Sequence, residues 1–386
     1  MSAVRRIVPG ILAAAVLATG GVGVAVAVGQ GGQPSHTSGA TRARAAPVAA
    51  LVGPPATALL TTTTSTTAVP LPSTTAAPTT SIPASPGTLT LAGCPVPPQP
   101  PRPPAPPPWH PAVLVPESSL PPEQAPAPWT SDLRPIAGKG MWIWEWGQTD
   151  SGDPQAIVNQ AVSAGLSQIW LRVGDSPDGF YGAAELDALV PIAHAAGISV
   201  IAWGFPYLYD PLGDAAWTEA ILDWRSPTGQ RVDGFSADIE RSSEGVALTE
   251  HRVAAYLGAV RQAAGNQLIV ATVYPPLDAY WSGDVYPYAT IARYVDAFAP
   301  MIYWECTDPG ADAVQAIRRL GTLRPVYLIG QAFDLASNGG RAASPSAAEL
   351  HEFLSEGQAA GAVGVSFWSW QSATSDEWSA VTRYRW

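Results

Sequence analysis

The chain has little of what most specialised chemistry requires. Its 386 residues hold two cysteines, Cys94 and Cys306, too few for a disulfide framework or a thiolate zinc cluster. The five histidines show no ligand spacing such as His-x-x-x-His, so no metal site is expected and a cofactor-free reaction is the default. Lysine and arginine number 20 against 31 acidic residues, giving a formal net charge of −11, and the arginines are scattered. That balance leaves no basic surface for a phosphate backbone, which argues against nucleic acid as a partner. No Gly-x-Gly-x-x-Gly or Walker loop follows an apolar run, so a nucleotide cofactor has no visible seat.

What is present divides into three parts. Residues 1–30 join Arg5 and Arg6 to an apolar run over 7–28, the pattern of an export signal. Ala25-Val26-Ala27 suits signal peptidase, while the run is also long enough to stay as a membrane tether through residues 7–28. Both alternatives place the remainder outside the cytoplasm, secreted or at the cell surface. Residues 31–133 are mostly Thr, Ser, Ala and Pro, with 61–67 nearly all Thr and 95–108 largely Pro. Such a segment has too little apolar surface to offset its ordering entropy, which predicts a disordered, Pro/Thr-rich stalk. Leu91-Ala92-Gly93-Cys94 has the form of a lipoprotein cleavage box but lies far beyond the apolar run, so it reads as chance. Cys94 is instead free to pair with Cys306 in an oxidising compartment, pinning the stalk near the mouth of the following domain.

Residues 134–386 change character. Apolar runs over 140–146, 168–173, 199–205, 233–240, 267–274, 297–304, 325–331 and 364–370 alternate with amphipathic stretches such as 153–164, 183–196, 249–264, 311–320 and 346–360. Glycines end these stretches at Gly165, Gly197, Gly265, Gly321 and Gly361. Eight strand–helix units predict an α/β fold of the (β/α)₈ TIM-barrel type, expected as a monomer, with a doubly wound open sheet as the alternative. Barrel enzymes place their chemistry at the C-terminal strand ends. Gathered there are Trp144, Glu145 and Trp146; Arg172 and Asp175; Trp203 and Tyr207; Tyr274; Tyr303 and Glu305; Gln331 and Asp334; and Trp368, Trp370 and Gln371. Flat aromatic faces beside carboxylates are what pyranose rings stack on, so these positions are expected to bind sugar.

The fourth strand reads Asp233-Gly234-Phe235-Ser236-Ala237-Asp238-Ile239-Glu240. Side chains alternate along a strand, so Gly234, Ser236, Asp238 and Glu240 share one face and Phe235, Ala237 and Ile239 take the other. The apolar set must meet the helices, which turns the acidic set into the barrel. Two carboxylates at this spacing, about 6 to 7 Å apart at Cα, are costly to ionise together, so one pKa should rise. Glu240, nearer the rim, is expected to be the proton donor and Asp238 its ionised partner. A purely structural pairing of both acids with Arg172 or Arg241 is the competing expectation.

This run resembles the DGxDxDxE signature of the family 18 glycoside hydrolases, the chitinase group, with Ser236 in place of one acid. Met301-Ile302-Tyr303 is similar to that family's Met-x-Tyr, and Trp368 or Trp370 to its last-strand Trp. The resemblance implies that Glu240 is the acid, that Asp238 orients an N-acetyl group acting as internal nucleophile, and that Tyr303 steadies the same group. Asp233, of opposite parity, would be structural. A shorter Asp-x-Glu also resembles the family 25 lysozymes, although Gly140-Met141-Trp142 lacks the Asp with which those barrels begin. The function expected is hydrolysis of an amino-sugar polymer, chitin-like or peptidoglycan. Because Ser236 removes an acid, the alternative is an inactive, carbohydrate-binding barrel of the cell envelope. A glycosidase of other specificity, with Glu240 working alongside Glu145 or Glu305, is a third reading.

Overall fold

Every strand run expected from the sequence becomes a strand of one closed barrel. The structure is a computed structural model and describes residues 91–96, 113–123, 125–277 and 286–386. The apolar segment 1–30 and most of the expected stalk lie outside the described residues. Among the described residues, no helix is long and apolar enough to cross a membrane.

The barrel strands are β1 (Gly138–Ile143), β2 (Gln168–Asp175), β4 (Ser199–Phe205), β5 (Gly234–Ile239), β6 (Ile269–Val273), β7 (Ala297–Ile302), β8 (Leu328–Gln331) and β9 (Gly364–Trp368). All pair in parallel in the order β1-β9-β8-β7-β6-β5-β4-β2, and β1 also pairs β2, which closes the ring. A two-residue strand β3 (Gly179–Phe180), not anticipated from the sequence, folds back antiparallel on the end of β2. The helices are α1 (Pro154–Ala164), α2 (Ala183–Ala195), α3 (Pro211–Asp223), α4 (Glu250–Ala264), α5 (Tyr288–Ala292), α6 (Pro309–Leu320), α7 (Ala347–Ala359) and α8 (Ser375–Arg383). Six of the eight helices carry side-chain N-caps: Asp153, Asp210, Thr249 and Asp308 accept backbone N–H groups, and Ser346 and Thr374 form capping boxes with Glu349 and Glu377.

Strand parity divides the apolar residues into two layers. Phe235, Ala237 and Ile239 of β5 join the layer between sheet and helices. The inner layer is unusually aromatic, with Trp142, Trp170, Trp203 and Tyr327 buried inside the ring. Trp142 stacks on Trp170 with centroids 4.6 Å apart, and Trp170 meets Tyr327 at 4.8 Å. Gly140 makes room for them, since a Cβ there would lie 2.3 Å from Gln168 Oε1 and 3.0 Å from Trp170 Nε1. Trp142 Nε1 donates to Ser366 Oγ at 2.6 Å and Trp203 Nε1 to the Ile143 carbonyl at 3.2 Å, satisfying those two buried indole donors. At the base, Lys139, the chain's single lysine, donates to the carbonyls of Ala164, Val381 and Tyr384 at 3.1, 2.6 and 2.8 Å.

The stalk expectation over 31–133 needs correction at its C-terminal end. Residues 113–123 and 125–133 are an extended segment bonded to the outside of the barrel. Val115 N–H donates to the Tyr209 carbonyl at 3.0 Å, and the Val115 carbonyl accepts from Arg252. Glu117 accepts from Thr249 Oγ1 at 2.7 Å. Trp129 lies beneath Arg261, 4.4 Å from its ring, and donates from Nε1 to Asp296 at 2.6 Å. The segment is ordered by side chains of the barrel, a contribution its own composition cannot reveal.

The Cys94–Cys306 disulfide is formed, with Cα atoms 5.8 Å apart. Cys306 follows β7, so the strap 91–96 is fixed at the C-terminal face. Arg341 holds the same strap: its Nε donates to the Ala92 carbonyl at 2.5 Å while its two terminal nitrogens bind Glu349 at 2.5 and 2.9 Å.

Candidate active site

The site begins with how β5 is anchored. Asp233, just before the strand, points away from the barrel, and its Oδ2 accepts the Val200 N–H and lies 2.8 Å from His194 Nε2, tying α2 to β4 and β5. One strand residue later the parity reverses, and Ser236 and Asp238 face inward. Ser236 Oγ lies 2.9 Å from Thr272 Oγ1 of β6, so the position that is acidic in the family 18 signature is a paired hydroxyl here. Asp238 stands beside Thr272 in register, 7% exposed, and its Oδ1 is buried without a hydrogen-bond partner among the described residues.

Glu240 follows the last residue of β5 and is half-buried at the rim. Burial lifts both carboxyls above the usual carboxylate range. For Asp238, Arg172 pulls back toward ionisation. Glu240 is driven further up by the charges of Asp238 and Glu244, against Arg241. The sequence led us to expect one raised carboxyl; the structure raises both, because the barrel mouth desolvates Asp238 as well. Arg172 does not neutralise the pair directly, since its Nη2 is bonded to Asp175 Oδ2 at 2.8 Å. Arg241 lies 4.5 Å above the Tyr274 ring. Glu244, in the turn after β5, is itself pushed up to about 7 by burial, and sequence reasoning passed over it because a charged turn residue carries no periodic signal.

Tyr303, at the end of β7, is buried, and its phenol is pushed up by burial and by the charges of both Asp238 and Glu240. Tyr207, stacked on Phe205 at 4.6 Å, senses Arg172, Asp175, Asp238 and Glu244. β9 is four places from β5 around the ring, and from it Trp368 projects over the barrel interior. Its ring lies 5.4 Å from Trp203, 6.1 Å from Trp142 and 6.3 Å from Trp144. Trp144 and Trp368 stay half-buried, leaving aromatic surface across the mouth from the carboxylates. The structure therefore brings together Asp238, Glu240, Arg172, Tyr207, Tyr274, Tyr303, Trp144, Trp203 and Trp368.

Four expected residues are placed elsewhere. Trp370 is 4% exposed and packs in the outer layer, donating from Nε1 to Asp150 at 3.1 Å, because β9 ends at Trp368 and alternation stops there. Trp146 opens a 3₁₀ turn and packs against that outer layer too. Gln331 is fully buried, accepting from the Glu305 N–H at 3.1 Å and donating to the Phe333 carbonyl at 2.8 Å. Glu305 accepts from Arg341 N–H through Oε1 at 3.1 Å, which engages it in the strap.

No protein-family model matches the chain, and no curated protein matches it. Solved structures do. The endo-1,4-beta-mannanase from Rhizomucor miehei is similar at 11% identity, covering 63% of this chain and 90% of its own, with a TM-score of 0.46. A class V chitinase from Pseudomonas fluorescens Pf-5 is similar at 13% identity, covering 64% and 98%, with a TM-score of 0.46. The hyperthermostable endo-1,4-beta-D-mannanase from Thermotoga petrophila RKU-1 is similar at 12% identity, covering 61% and 88%, with a TM-score of 0.45. At these identities the likeness is one of fold.

Proposed function

We propose that the barrel is a glycoside hydrolase of an amino-sugar polysaccharide, chitin-like or peptidoglycan, working outside the cytoplasm as a monomer, either released or tethered through residues 7–28. The observation that carries the reading is the Glu240 carboxyl, held up by burial beside Asp238 at the C-terminal end of β5. A carboxyl raised above the ordinary range keeps its proton to higher pH, which is what a leaving glycosidic oxygen needs. Glu240 gives its proton to that oxygen as the bond to the anomeric carbon breaks. Water then supplies the hydroxyl to that carbon, and its proton returns the acid to its starting form. Asp238 stabilises positive charge developing on the sugar ring, and the Tyr303 phenol orients the group at the neighbouring carbon. Trp144, Trp203 and Trp368 offer apolar faces for sugar stacking. No thiol is free, and no metal cluster of His, Cys, Asp and Glu occurs among the described residues.

Glu240→Gln tests the reading. It keeps size and hydrogen bonding while removing the transferable proton, so glycan cleavage should fall by at least about 10²-fold with sugar binding retained. Undiminished cleavage by the variant would remove Glu240 from the reaction.

A further inference from the structure

The mouth holds more carboxyl groups than acid–base chemistry requires. Beyond Asp238 and Glu240, the rim holds Glu145, Asp175, Asp178 and Glu244, set against the guanidiniums of Arg172 and Arg241. Burial pushes the Tyr181 and Tyr274 phenols up; the neighbouring charges acting on Tyr181 are Arg172, Asp175, Asp178 and Glu145, and those acting on Tyr274 are Arg241, Glu240 and Glu244. Asp175 already consumes one guanidinium at 2.8 Å, and the other lies over Tyr274. Asp178 adds its charge while its N–H donates to Asp175 Oδ1 at 2.9 Å.

A second observation points to what this field would receive. Asp238 is 7% exposed, faces into the barrel, and has an oxygen, Oδ1, with no partner among the described residues. A buried acceptor left unbonded costs about 1–3 kcal/mol, so a ligand donor there is strongly favoured. Across the mouth, the half-buried rings of Trp144 and Trp368 leave apolar faces for a sugar ring. An ammonium group meets both demands of the acidic side: positive charge and several N–H donors. An acetamide supplies one N–H and no charge, and it places a methyl group beside a desolvated carboxyl.

We propose that the site selects amino sugars whose amine is free, the N-deacetylated form of such a polymer, with the ammonium held against Asp238 Oδ1 beside the acidic rim and the sugar ring facing the Trp144 and Trp368 side chains. This inference rests on the glycosidase reading above and narrows its substrate. Arg172 keeps Asp175 oriented through their 2.8 Å bond.

The experiment uses the full chain carrying Glu240→Gln, so that ligands bind without turnover. The ligands are hexamers of glucosamine and of galactosamine, each in free-amine and N-acetylated form, with affinity read by calorimetry. Free-amine hexamers should bind about tenfold or more tightly than their N-acetylated counterparts, and the advantage should shrink as salt rises from about 50 to about 500 mM. Adding Asp238→Asn should abolish the preference. Should that variant fail to fold, Glu145→Gln at the rim should reduce the preference while leaving the thermal transition in place. Equal or tighter binding of the N-acetylated hexamers overturns the inference, and if the wild-type chain cleaves them the glycosidase reading survives it. No binding and no cleavage of any hexamer overturns both.

Discussion

Ser236 and Thr272 share a hydroxyl pair 2.9 Å apart inside the barrel, Thr272 in register with Asp238 and Ser236 two residues before it on the same strand. Because both are buried, removing either hydroxyl strands the other. Ser236→Ala and Thr272→Val should each cost about 1–3 kcal/mol, while the double substitution should cost clearly less than the sum. Denaturant unfolding of the four chains measures the coupling. Strict additivity would mean the two hydroxyls do not support one another.

The activity profile should carry the mark of Glu244. On the proposed reading, Glu240 as proton donor is active while protonated, so activity is lost as pH rises through its elevated pKa. Glu244 helps to hold that pKa up. Glu244→Gln should therefore move the alkaline limb of kcat/KM to lower pH, by up to about one pH unit. A limb that stays in place would separate Glu244 from the proton donor.

His194 should make stability depend on pH near neutrality. Its bond to Asp233 raises the imidazole pKa above the ordinary 6.5, so the folded chain holds the proton more tightly than the unfolded one. The stabilisation is complete below about pH 6.5 and disappears as pH rises through the folded value. With both side chains about a quarter exposed, it should be on the order of 0.5–1 kcal/mol after screening. His194→Gln should flatten the difference between unfolding midpoints at about pH 5.5 and about pH 8.5. A difference that persists in the variant would locate the titrating group elsewhere.

The strap supplies a stability prediction of another kind. Cys94 and Cys306 are separated by 212 residues, so their bond restricts the unfolded chain strongly. Reduction, or Cys94→Ser with Cys306→Ser, should lower stability by about 2–5 kcal/mol. Glu349→Gln, which leaves the buried Arg341 guanidinium uncompensated, should cost about 3–5 kcal/mol under oxidising and reducing conditions alike. Thermal melts of both variants with and without reductant distinguish the two contributions.

Much of the barrel was legible because apolar runs of strand length recur between helical patterns, and β5 shows why parity is informative. The same alternation that sends Phe235 to the helices sends Asp238 inward and leaves Asp233 outside with His194. Parity misleads where a strand ends sooner than its apolar run. Trp370 looks like a continuation of Trp368, but β9 stops at Trp368 and the later ring turns outward. Gln331 was placed by position alone, and its hydrogen bonds to backbone on both sides consume the groups that made it look available. Residues 113–133 were hidden for a different reason. Their order comes from Arg252, Arg261 and Asp296, residues more than a hundred positions away in the sequence.

Lys139 lies near the start of β1, yet two of its acceptors, the carbonyls of Val381 and Tyr384, come 242 and 245 residues later in the chain. β1 likewise waits for β9 at 364–368 before its second edge is covered. Until residues 364–384 have been made, then, the barrel is an open sheet with an unpaired margin and an ammonium short of acceptors, and the ring closes only with β9. A chain interrupted just before residue 364 would carry β5 already made and the seam still open.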